Sequence, residues 1–291
     1  CILGAGFRMD QGDHAGCTPL HLAAESGHEK AVVTLCAAGC ELDLGRDSRA
    51  TPLFVAAERG HGKVVAALLQ AGSHVDYCNV WGQSPVMIAS ANGHGHVVRA
   101  LCAHEPQPRL GICDRAGKTA LHLASEHGHL AAVEALLEMG ASLSCQDVLG
   151  AQALHLAAAG GTMAVCALLL SRGADANCTN AQLQTPLHFA ASHGRTAVAQ
   201  ILIDRGASRE ATDSRARTPL VVALEAGQSG IVATVAAKEA VNLADETGRF
   251  PLHVALQLRH APDVVSQLLG LGADVNAQDG AGRCALHIAA T

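Results

Sequence analysis

Histidine and cysteine are the residues of this chain that most invite a chemical reading, with 17 of the first and 11 of the second among 291. Imidazoles and thiolates are the common metal ligands, general bases and nucleophiles near neutral pH, so their spacing decides what they can do. The densest group is His94, His96, Cys102, His104 and Cys113. If residues 96 and 102 share a helix, about 9 Å of rise separates them. A tetrahedral ion with bonds of about 2 Å cannot join them without further ligands from a loop. No Cys-x-x-Cys pair occurs, so zinc-ribbon spacing is absent. Gly117-Lys118-Thr119 looks like the end of a phosphate loop, but such a loop needs a glycine five residues before its second glycine. That position is Ile112, and Gly111 is one residue too far away. There is no nucleophile elbow, no zincin helix pair and no calcium loop. The residues therefore point to no catalytic group, no cofactor and no metal site.

Composition narrows the classes further. Six aromatics, 2% of the chain, are too few for a protein that stacks bases on aromatic platforms. A formal charge of −6 argues against a phosphate-backbone binder, so no nucleic-acid partner is expected. Half the residues are apolar, enough to bury a core, and that core must be made of Ala, Leu and Val. No apolar run is long enough to span a bilayer, so no membrane insertion is expected. Gly4, Gly6 and Arg8 interrupt the first stretch, which does not read as a signal peptide. An odd number of cysteines without such a signal fits a reducing compartment.

The elements that carry these residues are periodic. Thr18-Pro19-Leu20-His21 recurs, with variations, from Thr51, Ser84, Thr119, Gln152, Thr185, Thr218, Phe250 and Cys284. The steps are 33, 33, 35, 33, 33, 33, 32 and 34 residues. Five residues after each start stands an alanine, from Ala23 to Ala289. Each unit reads alike. Thr is a good helix cap and Pro is tolerated at the first helical position, so Thr-Pro opens a short helix such as Pro19 to Ser26. A glycine ends it, here Gly27. Gly-His follows, as at Gly27-His28, Gly60-His61, Gly93-His94 and Gly128-His129. A second helix carries apolar residues at helical spacing, such as Val64, Val65, Leu68 and Leu69. Another glycine closes it, and a polar loop leads to a tight turn such as Asp114-Arg115-Ala116-Gly117.

These motifs resemble the ankyrin repeat along the whole chain. The resemblance implies an all-α dominated solenoid of stacked helix–turn–helix units with protruding β-turn fingers, each unit burying its core against its neighbours. The expected divisions are an incomplete repeat's tail over 1–12, eight repeats over 13–45, 46–78, 79–113, 114–146, 147–179, 180–212, 213–244 and 245–278, and a partial ninth over 279–291. Ile2, Leu3 and Gly6 match the end of a second helix, and neither end carries a polar capping unit. The expectation is a segment of a longer array. The resemblance also gives the motif histidines His21, His122, His155, His188, His253 and His287 a structural role, bonding between neighbouring units. Arrays of this kind usually work in the cytoplasm or nucleus.

Some units depart from the pattern. Repeat 3 inserts two residues and reads His104-Glu105-Pro106-Gln107-Pro108, so its second helix must stop early. Repeat 7 is one residue short, with Lys238-Glu239 where glycine is expected. Repeat 8 has Arg259 for a glycine and Pro262 in its interhelix turn. Arg49, Leu183 and Ala216 stand in for the finger glycine. A Cβ disfavours positive φ, so those fingers are expected to use a different turn. Asn177 and Asn276 lie in sequence contexts that resemble those hydroxylated in this family; the alternative is a loop Asn bonding local backbone.

Function is left to the surface. By the resemblance, a protein or peptide partner docks on the concave side, made by finger tips and the exposed face of the first helix. Transferred by position, the candidate contacts on the fingers are Val80, Trp81, Arg115, Lys118, Val148, Leu149, Arg215 and Arg217. On the first helices they are Glu25, Glu58, Arg59, Glu126, His127 and His193. Val80-Trp81 and Val148-Leu149 are apolar tips with no reason in stability, and Trp is enriched in binding hot spots. The alternative for Trp81 is packing onto a neighbouring finger or Tyr77. Glutamates on the early first helices and arginines on the late fingers grade the charge and would set a peptide's direction. The reading is a scaffold or recruiting module without turnover. A second reading is the cytosolic assembly domain of a larger channel, ubiquitin ligase or other enzyme.

Overall fold

A computed structural model describes residues 9–290. The expected helix end at Ile2, Leu3 and Gly6 lies outside the described residues. The chain divides into two compact units, Cys1–Val148 and Leu149–Thr291. Among the described residues all regular structure is helical.

The first unit holds four helix pairs. The first helices are α1 (Pro19–Glu25), α3 (Pro52–Arg59), α5 (Pro85–Ala91) and α7 (Ala120–Glu126). Their second helices are α2 (Glu29–Ala37), α4 (Gly62–Ala71), α6 (Gly95–Cys102) and α8 (Leu130–Glu138). First helices pack in succession on first helices, and second on second. In the second unit the first helices are α9 (Ala153–Gly160), α11 (Pro186–Ser192), α13 (Pro219–Glu225), α15 (Pro251–Gln257) and α17 (Ala285–Ala289). The second helices are α10 (Met163–Ser171), α12 (Thr196–Asp204), α14 (Val232–Val235) and α16 (Pro262–Gly270). The first helices again pack in succession, and the second helices pack from α10 through α12 to α14. Each unit is thus an ankyrin-type stack of helix pairs.

The sequence signals act as their chemistry requires. The Thr51 hydroxyl accepts the Phe54 N–H at 3.2 Å, satisfying a helix-end donor, and Pro52 fills the first helical position without needing an N–H partner. Gly60 ends α3 at φ 76°, and a Cβ there would meet the His94 ring at 2.7 Å. This close approach, as well as the left-handed backbone, calls for glycine.

The core lies between the two helix layers. Leu53, Leu68, Leu101 and Leu136 of the first unit are fully buried, as are Leu169, Leu187, Leu202 and Leu220 of the second. Burial of each such side chain contributes about 1.5–3 kcal/mol. The periodic alanines Ala56, Ala89, Ala124, Ala157, Ala190, Ala223 and Ala255 have no exposed surface, so neighbouring helices leave room for a methyl group and nothing larger.

The irregular repeats take distinct shapes. Helix α6 stops at Cys102, two residues shorter than α4, and the loop with Pro106 and Pro108 follows. An open cavity of about 570 Å³ lies there, lined by Leu69, Ser73, Val75, His104 and Pro106 among others. Repeat 7 replaces a full second helix by a 3₁₀ turn (Ser229–Ile231), the single turn α14, and a second 3₁₀ turn (Ala240–Asn242). Pro262 stands at the first position of α16, where its missing N–H costs nothing, and not in the turn before it.

The fingers correct one expectation. Arg49, Leu183 and Ala216 keep the left-handed turn, at φ 59°, 58° and 55°. Local bonds outweigh the strain. In the Ala216 finger the Asp213 carboxylate accepts the N–H groups of Arg215 and Arg217 at 2.9 Å each, and the Ala216 N–H donates to the Asp213 carbonyl. The side-chain acceptor fixes the turn, and the Cβ penalty of about 1–2 kcal/mol is absorbed. Ala216→Gly is therefore expected to raise stability by about 0.5–1 kcal/mol, the relieved strain less the backbone entropy of glycine. Gly117→Ala, whose Cβ would meet the Val148 backbone nitrogen at 2.8 Å, is expected to lower it by at least about 1 kcal/mol. Urea unfolding of both variants checks the pair, and equal signs would refute the account.

Candidate functional site

The finger tips are held by backbone bonds from each finger to the next. In the first unit the Val80 N–H donates to the Ser48 carbonyl at 2.9 Å, Arg115 to Trp81 at 3.2 Å, and Val148 to Ala116 at 3.0 Å. In the second unit Ala181 donates to Leu149 at 3.0 Å, Ser214 to Gln182 at 2.9 Å, and Glu246 to Arg215 at 3.0 Å. The backbone polar groups are thus paired within the row, and the side chains project from a fixed frame.

Those side chains are unusually apolar. Trp81 is 54% exposed, Val148 68% and Leu149 57%. Val80 is half-buried. Trp81 makes no ring contact with Tyr77 among the described residues; the Tyr77 ring packs on His74, with centroids 4.5 Å apart. Leu183 is a tip residue that the sequence reading did not place among the contacts. It is 52% exposed and sits on the finger that bonds to Leu149. Its signal was legible: a leucine in a left-handed turn helps neither backbone nor core, so folding does not explain it.

The charged candidates are mostly paired. Glu25 binds Arg59 at 2.6 Å, Glu58 lies 3.9 Å from Arg46, and Glu126 binds Lys118 at 2.6 Å. In the second unit Arg217 bridges Asp213 at 2.6 Å and Glu225 at 2.7 Å, and Arg249 joins Glu225 to Asp245 at 2.8 Å each. Burial alone would raise the Asp213 carboxyl, but bonds from the Arg217 guanidinium and from backbone N–H groups hold it below the usual range. Such half-exposed pairs add at most about 1 kcal/mol each. They also reduce the field that these groups offer a partner. Arg115 and Arg215 differ: both are exposed, and their guanidinium groups have no partner among the described residues. His127 and His193 are exposed on the first-helix face, each with Nδ1 2.9 Å from a carbonyl one helical turn back.

The residues that resembled chemistry are placed for structure. The His188 Nε2–H donates to the Arg217 carbonyl at 3.0 Å, while Nδ1 accepts the Thr185 N–H at 3.1 Å. A carbonyl only accepts, so the contact fixes the tautomer. His21 and Ala50, and His155 and Gln184, repeat this bond between adjacent repeats. Burial pushes the His21 and His188 imidazoles below the ordinary histidine value. The second set caps helix ends: His61, His94 and His260 donate to the carbonyls of Glu25, Glu58 and Leu224. His96 donates to Gly60 and Cys102 is buried, so the densest His and Cys group is spread over separate tasks. Among the described residues no three His, Cys, Asp or Glu side chains are placed to hold a metal ion. Burial raises the Cys102 thiol to about 11, and the Cys166 and Cys178 thiols to about 12, which keeps them protonated. The Lys118 ammonium is bound to Glu126, and the N–H groups of Ala116 and Lys118 go to Asp114, so Gly117-Lys118-Thr119 offers no phosphate cradle. The Asn177 side chain donates to the Gly206 carbonyl and accepts the Ser208 N–H, a tie between repeats.

Comparison with known proteins gives the same repeat architecture. The family model described as ankyrin repeats (3 copies) matches residues 1–78, 71–147, 140–213 and 206–279. The crystal structure of the ankyrin repeat domain of Bcl-3, a unique member of the IkappaB protein family, is similar at 30% sequence identity and a TM-score of 0.65. That match covers 72% of this chain and 95% of the other. No curated protein sequence matches the chain. Among the described residues no helix is long and apolar enough to cross a membrane. With a periodic motif, stacked helix pairs and a family match along nearly its whole length, the chain belongs to the ankyrin-repeat family.

Proposed function

We propose that this chain is a protein-interaction module whose partner contacts lie on the finger and first-helix face of each unit, at the apolar tips Trp81 and Val148 of the first and Leu149 and Leu183 of the second. The ankyrin fold is typically a non-catalytic interaction scaffold, and the similarity to the Bcl-3 ankyrin domain supports that class of role. The observation that carries the surface assignment is the exposure of these four tips on fingers whose backbone is already satisfied. Exposed apolar groups without a folding task mark interaction surfaces. Arg115 and Arg215 add cationic groups beside them, so the partner segment is apolar with carboxylates alongside. The mechanism is rigid display, since little ordering entropy is lost when the frame is already built.

A serine scan tests this reading. Partner capture is expected to fall when Trp81, Val148, Leu149 or Leu183 is replaced, and to hold when the equally exposed Val33 or Met163 of the second helices is replaced. Loss from the second-helix variants alone would move the interface to the opposite face.

A further inference from the structure

In the second unit one arginine occupies a position that every earlier first helix gives to glycine. From Gly27 to Gly227 a glycine with positive φ stands one or two residues after the last residue of each first helix. Arg259 takes the same conformation at φ 53°. A Cβ in this region is strained, and the exposed guanidinium makes no ion pair or hydrogen bond among the described residues. Beside it lies a hollow of about 190 Å³, lined by Leu256, Gln257, Arg259, Arg283 and Ile288.

The preceding repeat shows what this register normally holds. Glu225 closes α13, and its carboxylate binds Arg217 and the next finger's Arg249. Gln257 closes α15 at the corresponding place, and Arg283 is the corresponding residue of the next finger. The carboxylate is replaced by a neutral amide, while the arginine is kept and a second one is added. Arg283 is tied to Asp279 at 2.8 Å and lines the same hollow as Arg259. Two guanidinium groups therefore share a mainly polar hollow that Leu256 and Ile288 also line, with no acid paired to Arg259 among the described residues.

We infer that this hollow receives a glutamate or aspartate side chain of the partner polypeptide, clamped by Arg259 and Arg283 with its neighbouring apolar residue on Leu256 and Ile288. The site rests on the finger and first-helix face being the partner surface, and it adds an acidic requirement to the partner's sequence. Guanidinium groups bind carboxylates in charge-assisted, directional pairs, which suits this task.

The test uses the full chain and a fluorescent acetyl-Leu-Glu-Leu-Glu-Leu amide as probe. Arg259→Gly is expected to weaken the probe at least fivefold while the thermal midpoint holds or rises, because the glycine relieves strain. The Gln counterpart of the probe is expected to bind the unaltered chain as weakly as the Glu probe binds the variant. A raised midpoint with unchanged probe affinity would overturn the inference and leave Arg259 without a binding role. A phosphoserine probe binding more than tenfold tighter than the Glu probe would overturn the carboxylate assignment. Loss of the Arg259 effect alone sinks only this site; failure of the tip variants to affect partner capture sinks the broader reading.

Discussion

His188→Ala is expected to lower the unfolding free energy by about 2–4 kcal/mol, the largest effect of any single polar substitution considered. The side chain is 1% exposed and ties two repeats together. Its removal leaves the Thr185 N–H and the Arg217 carbonyl without their ring partner and opens a cavity around both. Urea unfolding measures the loss, and a drop below about 1 kcal/mol would mean that water replaces the ring. The same residue gives the chain an acid-sensitive stability. His21 and His188 have folded-state values depressed by burial, against about 6.5 in the unfolded chain. Their contribution is full above about pH 6.5 and is lost as the pH falls through the lower folded values, because the unfolded chain takes protons first. The slope of stability against pH below 6.5 is expected to flatten in His188→Ala. A second loss, below about pH 4, comes from Asp213, Asp245 and Asp279, whose carboxyls lie below their ordinary values.

Trp81→Ala is expected to weaken the cognate partner at least tenfold, about 1.4 kcal/mol or more, as for a hot-spot aromatic. Stability is expected to stay within about 0.5 kcal/mol, because the indole is more than half exposed and caps no core. Titration calorimetry with the partner, beside urea unfolding of the variant, separates the two quantities. Unchanged affinity with a clear loss of stability would assign Trp81 to the fold.

Much of this was legible from the chain itself. Thr-Pro starts, glycine stops and periodic alanines have direct physical causes, and the helices α1, α3, α11 and α13 begin at the Thr-Pro steps, with Gly27, Gly60, Gly194 and Gly227 at or just past their ends. Local chemistry was the easy part because one motif repeats it many times. The turn at Ala216 was misread because the Cβ penalty was weighed without the Asp213 side chain, which supplies a compensating acceptor. The charge grading was visible, but not its pairing. Whether Lys118 reaches Glu126 or a ligand depends on side-chain direction, which spacing does not encode. Arg259 stood out as a missing glycine. Its meaning needed the three-dimensional neighbour Arg283 and the contrast between Glu225 and Gln257.

The account's central claim is that partners contact the finger and first-helix face. Site-specific photo-crosslinking tests it most directly, with a benzoylphenylalanine placed in turn at Trp81, Val148 and Leu183, and at Val33 and Met163 of the second helices. The account predicts crosslinks to one partner from the three finger positions and none from the two helix positions. Crosslinks from Val33 or Met163, with silence at the fingers, would contradict it.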